Sequence, residues 1–306
     1  HYADPANLEA LGRLSAALEP VDRWGLQEDL FALVRAGAVP AGRYLEWLET
    51  NAGETADLPL SGMAHHVLEL FRVLHRRDRE SVAAVGKRLG EAVLERIGLD
   101  PRSGEPHGTA RLRDELLWPA VVYGASGLGA RLRERLRALA AGADLHPDLL
   151  KGVLQAGAWL EGMAFLDPLV ERFQKAAGEH ERLAVLTALG SFQDPEALRQ
   201  AWEFVVGAVP GRIGYVALVA MAANPSAGPH LWGWLAGSRS RLEDFHPLLF
   251  ERVLASLIPA AGLAEAQRVE EDARELLLGD PPYADAVRLA LERLAINRRL
   301  RQAGLD

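Results

Sequence analysis

No cysteine occurs in the 306 residues, which removes disulfides, thiolate metal ligands and thiol nucleophiles together and makes a cytoplasmic setting the default. Lysine is scarce as well: Lys87, Lys151 and Lys175 stand alone among 34 basic side chains, and the rest are arginine. Asp and Glu number 42, and the resulting net charge of −8 leaves no surplus for the basic face that phosphate backbones require. No nucleic-acid partner is therefore expected. Long apolar runs are missing too. The longest, 116–130, is broken by Pro119 and by polar and glycine positions, and it falls short of the roughly 18 clean residues a membrane span needs. No membrane role is expected. The chain opens His-Tyr-Ala-Asp-Pro, with neither an initiator methionine nor a signal peptide, as expected for a piece cut from a longer polypeptide.

What is present is helical periodicity. Leu8, Leu11, Leu14 and Leu18 recur at steps of three and four after an Asp-Pro start, and Leu26, Leu30, Leu33 and Val34 repeat the pattern up to an Ala36-Gly37 stop. Pro40 to Thr50 fits a third helix with Tyr44, Leu45 and Leu48 inward. Further helices fit 60–76, 79–97, 109–124, 128–141, 147–160, 163–177, 180–189, 194–207, 212–223, 227–237, 244–257, 263–278 and 282–302. Strand-like alternation is almost absent. Short helices joined by loops of two to six residues predict an all-α fold, an irregular HEAT-like α-solenoid of antiparallel helix hairpins. No strict sequence repeat and no ankyrin or tetratricopeptide signature is visible. One helical domain over 1–306 is expected, with the long loop from Asp100 to His107 as a sub-bundle boundary near 100–108.

Several motifs imitate chemistry. Val121 to Ala130 resembles a nucleotide loop at a helix N-terminus, but its spacing is Gly-x-x-Gly-x-Gly, no βαβ pattern surrounds it, and Pro119 interrupts the strand it would need. A Gly-rich turn between packed helices is the plainer reading. His65, His66 and Glu69 suggest a metal helix, yet zinc peptidases require His-Glu-x-x-His, and Leu70 stands where the inverted motif needs a second His. A satisfied or surface histidine pair is expected. Gly124-Ala-Ser126-Gly-Leu128 lacks the second glycine of a nucleophile elbow. The arginine runs at 76–79, 131–137 and 298–301 read as solvated helix faces, and Trp232 with Trp234 as core rather than a binding platform. The residues thus give no catalytic and no metal-ligating set.

One stretch does resemble a known family. Pro20-Val-Asp-Arg-Trp-Gly-Leu-Gln-Glu-Asp-Leu-Phe-Ala-Leu-Val-Arg-Ala-Gly37 is similar to the run that opens the C-terminal helical domain of the aminopeptidase N family of zinc aminopeptidases. The likeness continues in order through Asp194-Pro195, through Asn224-Pro225 with Trp232 and Trp234, and through the closing Ile296-Asn297. Tyr2 resembles the last tyrosine of the strand that leads into that domain. The endoplasmic-reticulum, puromycin-sensitive and tricorn-interacting branches look nearest. The resemblance implies a curved bowl of helices that covers the zinc site of a parent enzyme, admits peptides and excludes folded proteins. It implies no cofactor in this chain and zinc in a catalytic domain elsewhere. The implied partners are the parent's catalytic and β-sandwich domains and peptide substrates. A free-standing HEAT-like scaffold for partner proteins is the alternative.

The resemblance also singles out residues. Phe71 and Arg72 fall where the endoplasmic-reticulum branch carries an aromatic–lysine pair implicated in holding a peptide's C-terminal carboxylate, although Phe71 lacks a hydroxyl and Ser191 replaces a further arginine. By themselves the two read as a core aromatic and a solvated arginine. Asp22 and Arg23, at the start of a helix, read as a surface ion pair, while the resemblance implies a junction with neighbouring domains.

Overall fold

The computed structural model describes residues 17–306 together with Asp4, Asn7 and Ala10, so Tyr2 and the expected stripe at Leu8, Leu11 and Leu14 lie outside the described residues. Among the described residues every regular element is a helix and none is a strand. The chain packs into two compact units, 1–128 with 296–306, and 129–295.

In the first unit, helices α1 (Pro20–Arg35), α2 (Ala41–Thr50), α3 (Asp57–Val73), α4 (Arg76–Ile97) and α5 (His107–Val122) follow one another. α1 packs on α3, α3 on α4 and α5, and α4 on α5, while α2 fills the corner beside α1 and α4. The apolar stripes explain this arrangement. Leu26, Leu30, Phe31 and Val34 of α1 are buried, as are Leu60, Met63, Val67 and Leu70 of α3 and Leu112, Leu116, Leu117 and Trp118 of α5. Proline at the start of α1 and a left-handed Gly37 (φ 76°) after its end set its limits as expected.

Sequence periodicity carried the helix expected over 60–76 to 76, but the structure ends α3 at Val73 and holds Leu74 and His75 extended. The cause is a side chain. Arg79 donates from Nε to the Leu74 carbonyl (3.2 Å) and from Nη2 to the Arg72 carbonyl (3.1 Å), which satisfies the open end of α3 from the first turn of α4.

The 100–108 segment lies within the first unit, and the units divide at Leu128–Gly129 instead. Arg113 is fully buried and binds the segment down. It is bidentate to Glu105 (2.6 and 2.7 Å), and it donates to the carbonyls of Gly98 (2.8 Å) and Ile97 (3.3 Å) at the end of α4.

The second unit runs through α6 (Leu128–Ala140), α7 (Pro147–Glu161), α8 (Leu166–Lys175), α9 (Glu179–Leu189), α10 (Pro195–Ala208), α11 (Gly211–Ala223), α12 (Gly228–Glu243), α13 (Pro247–Ala261) and α14 (Ala266–Glu275). The last helix, α15 (Ala284–Ala303), begins in this unit, and its end belongs to the first. The helix expected over 163–177 opens instead with a 3₁₀ turn, Gly162–Phe165, because Gly162 takes a positive φ of 58° after α7.

α7 packs on α9, α9 on α11 and α11 on α13, while α8, α10 and α12 each pair with the helix that follows. This is solenoid packing. Hydrogen bonds mark the repeat. Gln155 donates to Ser191 (3.0 Å), 36 residues on, and Asn224 reaches back 34 residues to the Gly190 carbonyl (2.9 Å). Trp202 donates to Ser238, 36 residues on (3.1 Å), and Trp232 to Asp272, 40 residues on (2.6 Å). The spacing of these bonds approaches the length of a HEAT unit, although no residue pattern repeats with it.

Candidate functional site

Phe71 and Arg72 occupy the last turn of α3, both half-buried. Phe71 meets the ring of Tyr123 edge to face (centroids 5.3 Å, 76°), and the Arg79 guanidinium lies 5.5 Å from the Phe71 ring centre. Tyr123 comes from the end of α5, and its ring fits only because residue 86 of α4 is glycine. A Cβ there would stand 2.4 Å from Tyr123 Cε2 and 2.9 Å from Val67 Cγ1. The Tyr123 hydroxyl is shut off from solvent and has no hydrogen-bond partner among the described residues. Burial pushes its pKa up, against the positive charge of Arg72.

Cations collect at this end of α3. Arg79 is held below the usual arginine range by burial first and then by the charges of Arg301 and Arg76, and Arg301 Nε lies 3.3 Å from His75 Nδ1. Chemically the arrangement is an apolar aromatic pair flanked by guanidinium groups, which suits a carboxylate carried on an apolar chain. The sequence placed Tyr123 in the Gly-rich run and Arg79 in an arginine run read as solvated, and it did not join either to Phe71; Arg79 is instead half-buried and bonded to the end of α3.

Asp22 and Arg23 sit in the first turn of α1. Asp22 is exposed, whereas Arg23 is half-buried and its ion pair is with Glu54. Its guanidinium grips Glu54 through two bonds (2.6 and 2.9 Å) and also donates to the Leu18 carbonyl (2.5 Å). Burial acts to raise the Glu54 carboxyl, but bonds from Arg23 and from the Ala56 and Thr55 amides outweigh it and hold the group below its ordinary range. The pair clamps the α2–α3 loop onto α1.

The histidine pair separates. His65 is exposed, and Glu69 faces Arg35 (3.4 Å). His66 is buried against Phe31 (ring centres 3.9 Å, 15°), with the Tyr44 hydroxyl 2.5 Å from Nδ1 and Glu28 Oε1 3.3 Å from Nε2. Burial, with the charges of His65 and Arg35, drops its pKa to about 3, so the contact with Glu28 is made by a neutral ring. Because an ionised carboxylate only accepts, Nε2 carries the proton and Nδ1 accepts from Tyr44. Among the described residues no three His, Asp or Glu side chains are grouped to hold a metal ion.

The Gly-rich turn is closed by the protein itself. Glu91 accepts from the Ser126 amide (2.6 Å) just before α6 starts, so a carboxylate occupies the position a phosphate would need, and Pro119 lies inside α5 rather than in a strand. Trp232 is core, whereas Trp234 is half-buried and stacks on His230 (5.4 Å, 18°). Ser191, 1% exposed, donates to the Thr187 carbonyl (2.9 Å) and accepts from Gln155. No helix among the described residues is long and apolar enough to cross a membrane.

Comparison with known proteins gives the family of the chain. The model of the ERAP1-like C-terminal domain matches residues 1–295. The chain is 24% identical over 305 residues to the tricorn protease-interacting factor F2 of Thermoplasma acidophilum, covering 97% of this chain and 36% of that protein. It is also 24% identical to aminopeptidase M1-A of Oryza sativa subsp. japonica (97% of this chain, 34% of the relative). To the leucyl aminopeptidase of Saccharolobus solfataricus it is 23% identical (83% and 31%). The chain thus spans about a third of the length of the relatives it matches. By the match over residues 1–295 and the all-helical fold that accompanies it, the chain belongs to the ERAP1-like C-terminal domain family.

Proposed function

We propose that this chain is the non-catalytic C-terminal domain of a zinc-dependent aminopeptidase, in which it covers the active-site cavity and both restricts and helps bind peptide substrates. The observation that carries this reading is the family match over nearly the whole chain, joined to relatives of which two reported above are named aminopeptidases and are about three times as long. Among the described residues no side chains are grouped to hold zinc, and in this reading the hydrolytic chemistry belongs to a catalytic domain outside this chain. A helical wall closing over such a site would exclude water and bulky substrates. The partners are then the catalytic and β-sandwich domains of the same polypeptide and the peptides it cleaves, in a cytoplasmic setting.

Within that role, Arg72 anchors the C-terminal carboxylate of a peptide while Phe71 supplies an apolar wall. The cations gathered around Arg79, which bonds the Arg72 carbonyl, and the Phe71–Tyr123 pair support this assignment. Asp22, exposed in the first turn of α1, marks a junction with a neighbouring domain, with Arg23 clamping the α2–α3 loop beside it.

The test uses the full-length parent enzyme and two peptides that differ only in a free or amidated C-terminus. Arg72→Ala is expected to lower kcat/KM for the free acid by about tenfold, the loss of one charge-assisted pair, and to spare the amide. An equal change for both peptides, or none, removes Arg72 from the role. For the junction, Arg23→Ala should reduce the parent's stability or activity, and an unchanged enzyme ends that idea.

A further inference from the structure

The end of α3 gathers more positive charge than one carboxylate neutralises. Arg72 closes α3, Arg76, Arg77 and Arg79 open α4, and Arg301 arrives from the end of α15, all within the first unit of a protein whose net charge is −8. Acid is sparse among them. Asp78 faces Arg77 at 3.5 Å, and Glu80 is exposed and follows Arg79 directly on the same helix, a spacing that turns the two side chains apart.

Arg79 is the centre of the cluster. It is half-buried, and its bonds from Nε and Nη2 go to the uncharged carbonyls of Leu74 and Arg72. Its guanidinium lies 5.5 Å from the Phe71 ring centre, and the charges that act on it are those of Arg301 and Arg76. Among the described residues no carboxylate pairs with Arg79, and its Nη1 makes no hydrogen bond. A guanidinium drawn partly out of water and set against others of its kind is costly until an anion meets it. Phe71 and Tyr123 join this cation to Arg72: Arg79 stands over the Phe71 ring, Tyr123 meets that ring edge to face, and Arg72 acts on the Tyr123 hydroxyl with its charge. An apolar strip thus runs from one cation to the other.

We propose that Arg79, with Arg301 beside it, is a second carboxylate subsite, through which the domain selects peptides whose C-terminal residue is acidic. This rests on the reading of Arg72 as the anchor of the peptide's C-terminal carboxylate. Arg72 then reads the chain end, and Arg79 reads the last side chain through a charge-assisted bond from its remaining donor edge. A neutral side chain of the same shape leaves the second cation unmatched, and that difference is the source of the selectivity.

The experiment uses the full-length parent and two free-acid peptides that differ only in ending with glutamate or glutamine. The glutamate peptide is expected to have the higher kcat/KM, by about fivefold or more. Arg79→Gln, which keeps an N–H donor for the α3 carbonyls, and Arg301→Gln, made separately, should each bring that ratio below about two. The ratio is the readout, because damage to the α3–α4 junction would slow both peptides alike. If Arg79→Gln proves unfolded by circular dichroism, Arg301→Gln decides. A ratio near one in the unmodified parent, or a ratio that survives either substitution in a folded protein, would overturn the proposal. Failure of the underlying reading shows separately: Arg72→Ala would then leave the discrimination between free-acid and amidated peptides unchanged, whereas failure of the second subsite alone leaves that dependence on Arg72 in place.

Discussion

Replacing Glu105 by Gln should be among the most damaging conservative changes in the first unit. Arg113 is 0% exposed and Glu105 11%, and among the described residues their two parallel bonds of 2.6 and 2.7 Å are the only ones that neutralise the guanidinium; the other two go to the uncharged carbonyls of Gly98 and Ile97. The substitution keeps volume and one acceptor but leaves a buried cation without its anion, which costs about 3–5 kcal/mol. Arg113→Met should cost about 2–4 kcal/mol, since it strips a donor from each of two carbonyls but leaves Glu105 near enough to solvent to rehydrate. The double variant Arg113→Met with Glu105→Leu should recover about 2–3 kcal/mol relative to the sum, because neither charge is then stranded. Urea unfolding reports the total. Hydrogen exchange of the 97–113 amides reports the place, which matters in a chain of two compact units where a single transition is not assured. If Glu105→Gln shifts stability by less than about 0.5 kcal/mol and leaves 97–113 protected, the pair is no more than an exposed surface contact, and the reasoning fails.

Three further predictions follow from other parts of the molecule. His66 is neutral when folded, with its pKa lowered to about 3 from 6.5, so the unfolded chain binds a proton first as pH falls. Stability is complete above pH 6.5 and is lost toward pH 3, by about 2 kcal/mol at pH 5, less whatever Glu28 returns at 3.3 Å; His66→Gln should flatten the urea midpoint between pH 7 and 5. Gly86→Ala puts a methyl group into the Tyr123 ring and should lower stability by about 1–3 kcal/mol in a thermal melt, whereas an unchanged melting point would mean the ring is free to move aside. Asn224→Ala strips the Gly190 and Phe192 carbonyls of a buried donor and the Ser226 amide of its acceptor, for a loss of about 2–4 kcal/mol by urea unfolding; a loss under 1 would show that water replaces the side chain.

The helical character of the chain was legible because it depends on residues three and four apart, and the stripe Leu26, Leu30 and Val34 declares its buried face, although Phe31 and not the expected Leu33 completes it. What the sequence hid depends on partners far along it. The break at Leu74–His75 is invisible to periodicity because Arg79 creates it by bonding two carbonyls behind itself. The 100–108 loop looked like a boundary because its composition is that of a linker, while the buried Arg113 that ties it in reads locally as one more helical arginine. Glu91 closes the Gly-rich turn from 35 residues away, and Tyr44 satisfies His66 from 22. In the candidate site, Phe71 and Arg72 were named only through a family resemblance. Tyr123 and Arg79, which surround them, come from helices whose packing no short motif encodes.

The central claim, that this chain serves an aminopeptidase without performing its chemistry, is tested most directly by assaying an aminoacyl reporter with two purified proteins, the 306-residue chain and its full-length parent, each dialysed and supplied with zinc. The account predicts turnover by the parent alone, abolished by a chelator and restored by zinc, and none by the chain above a purified blank. Turnover by the chain itself, or a parent that cleaves no aminoacyl bond, would contradict it.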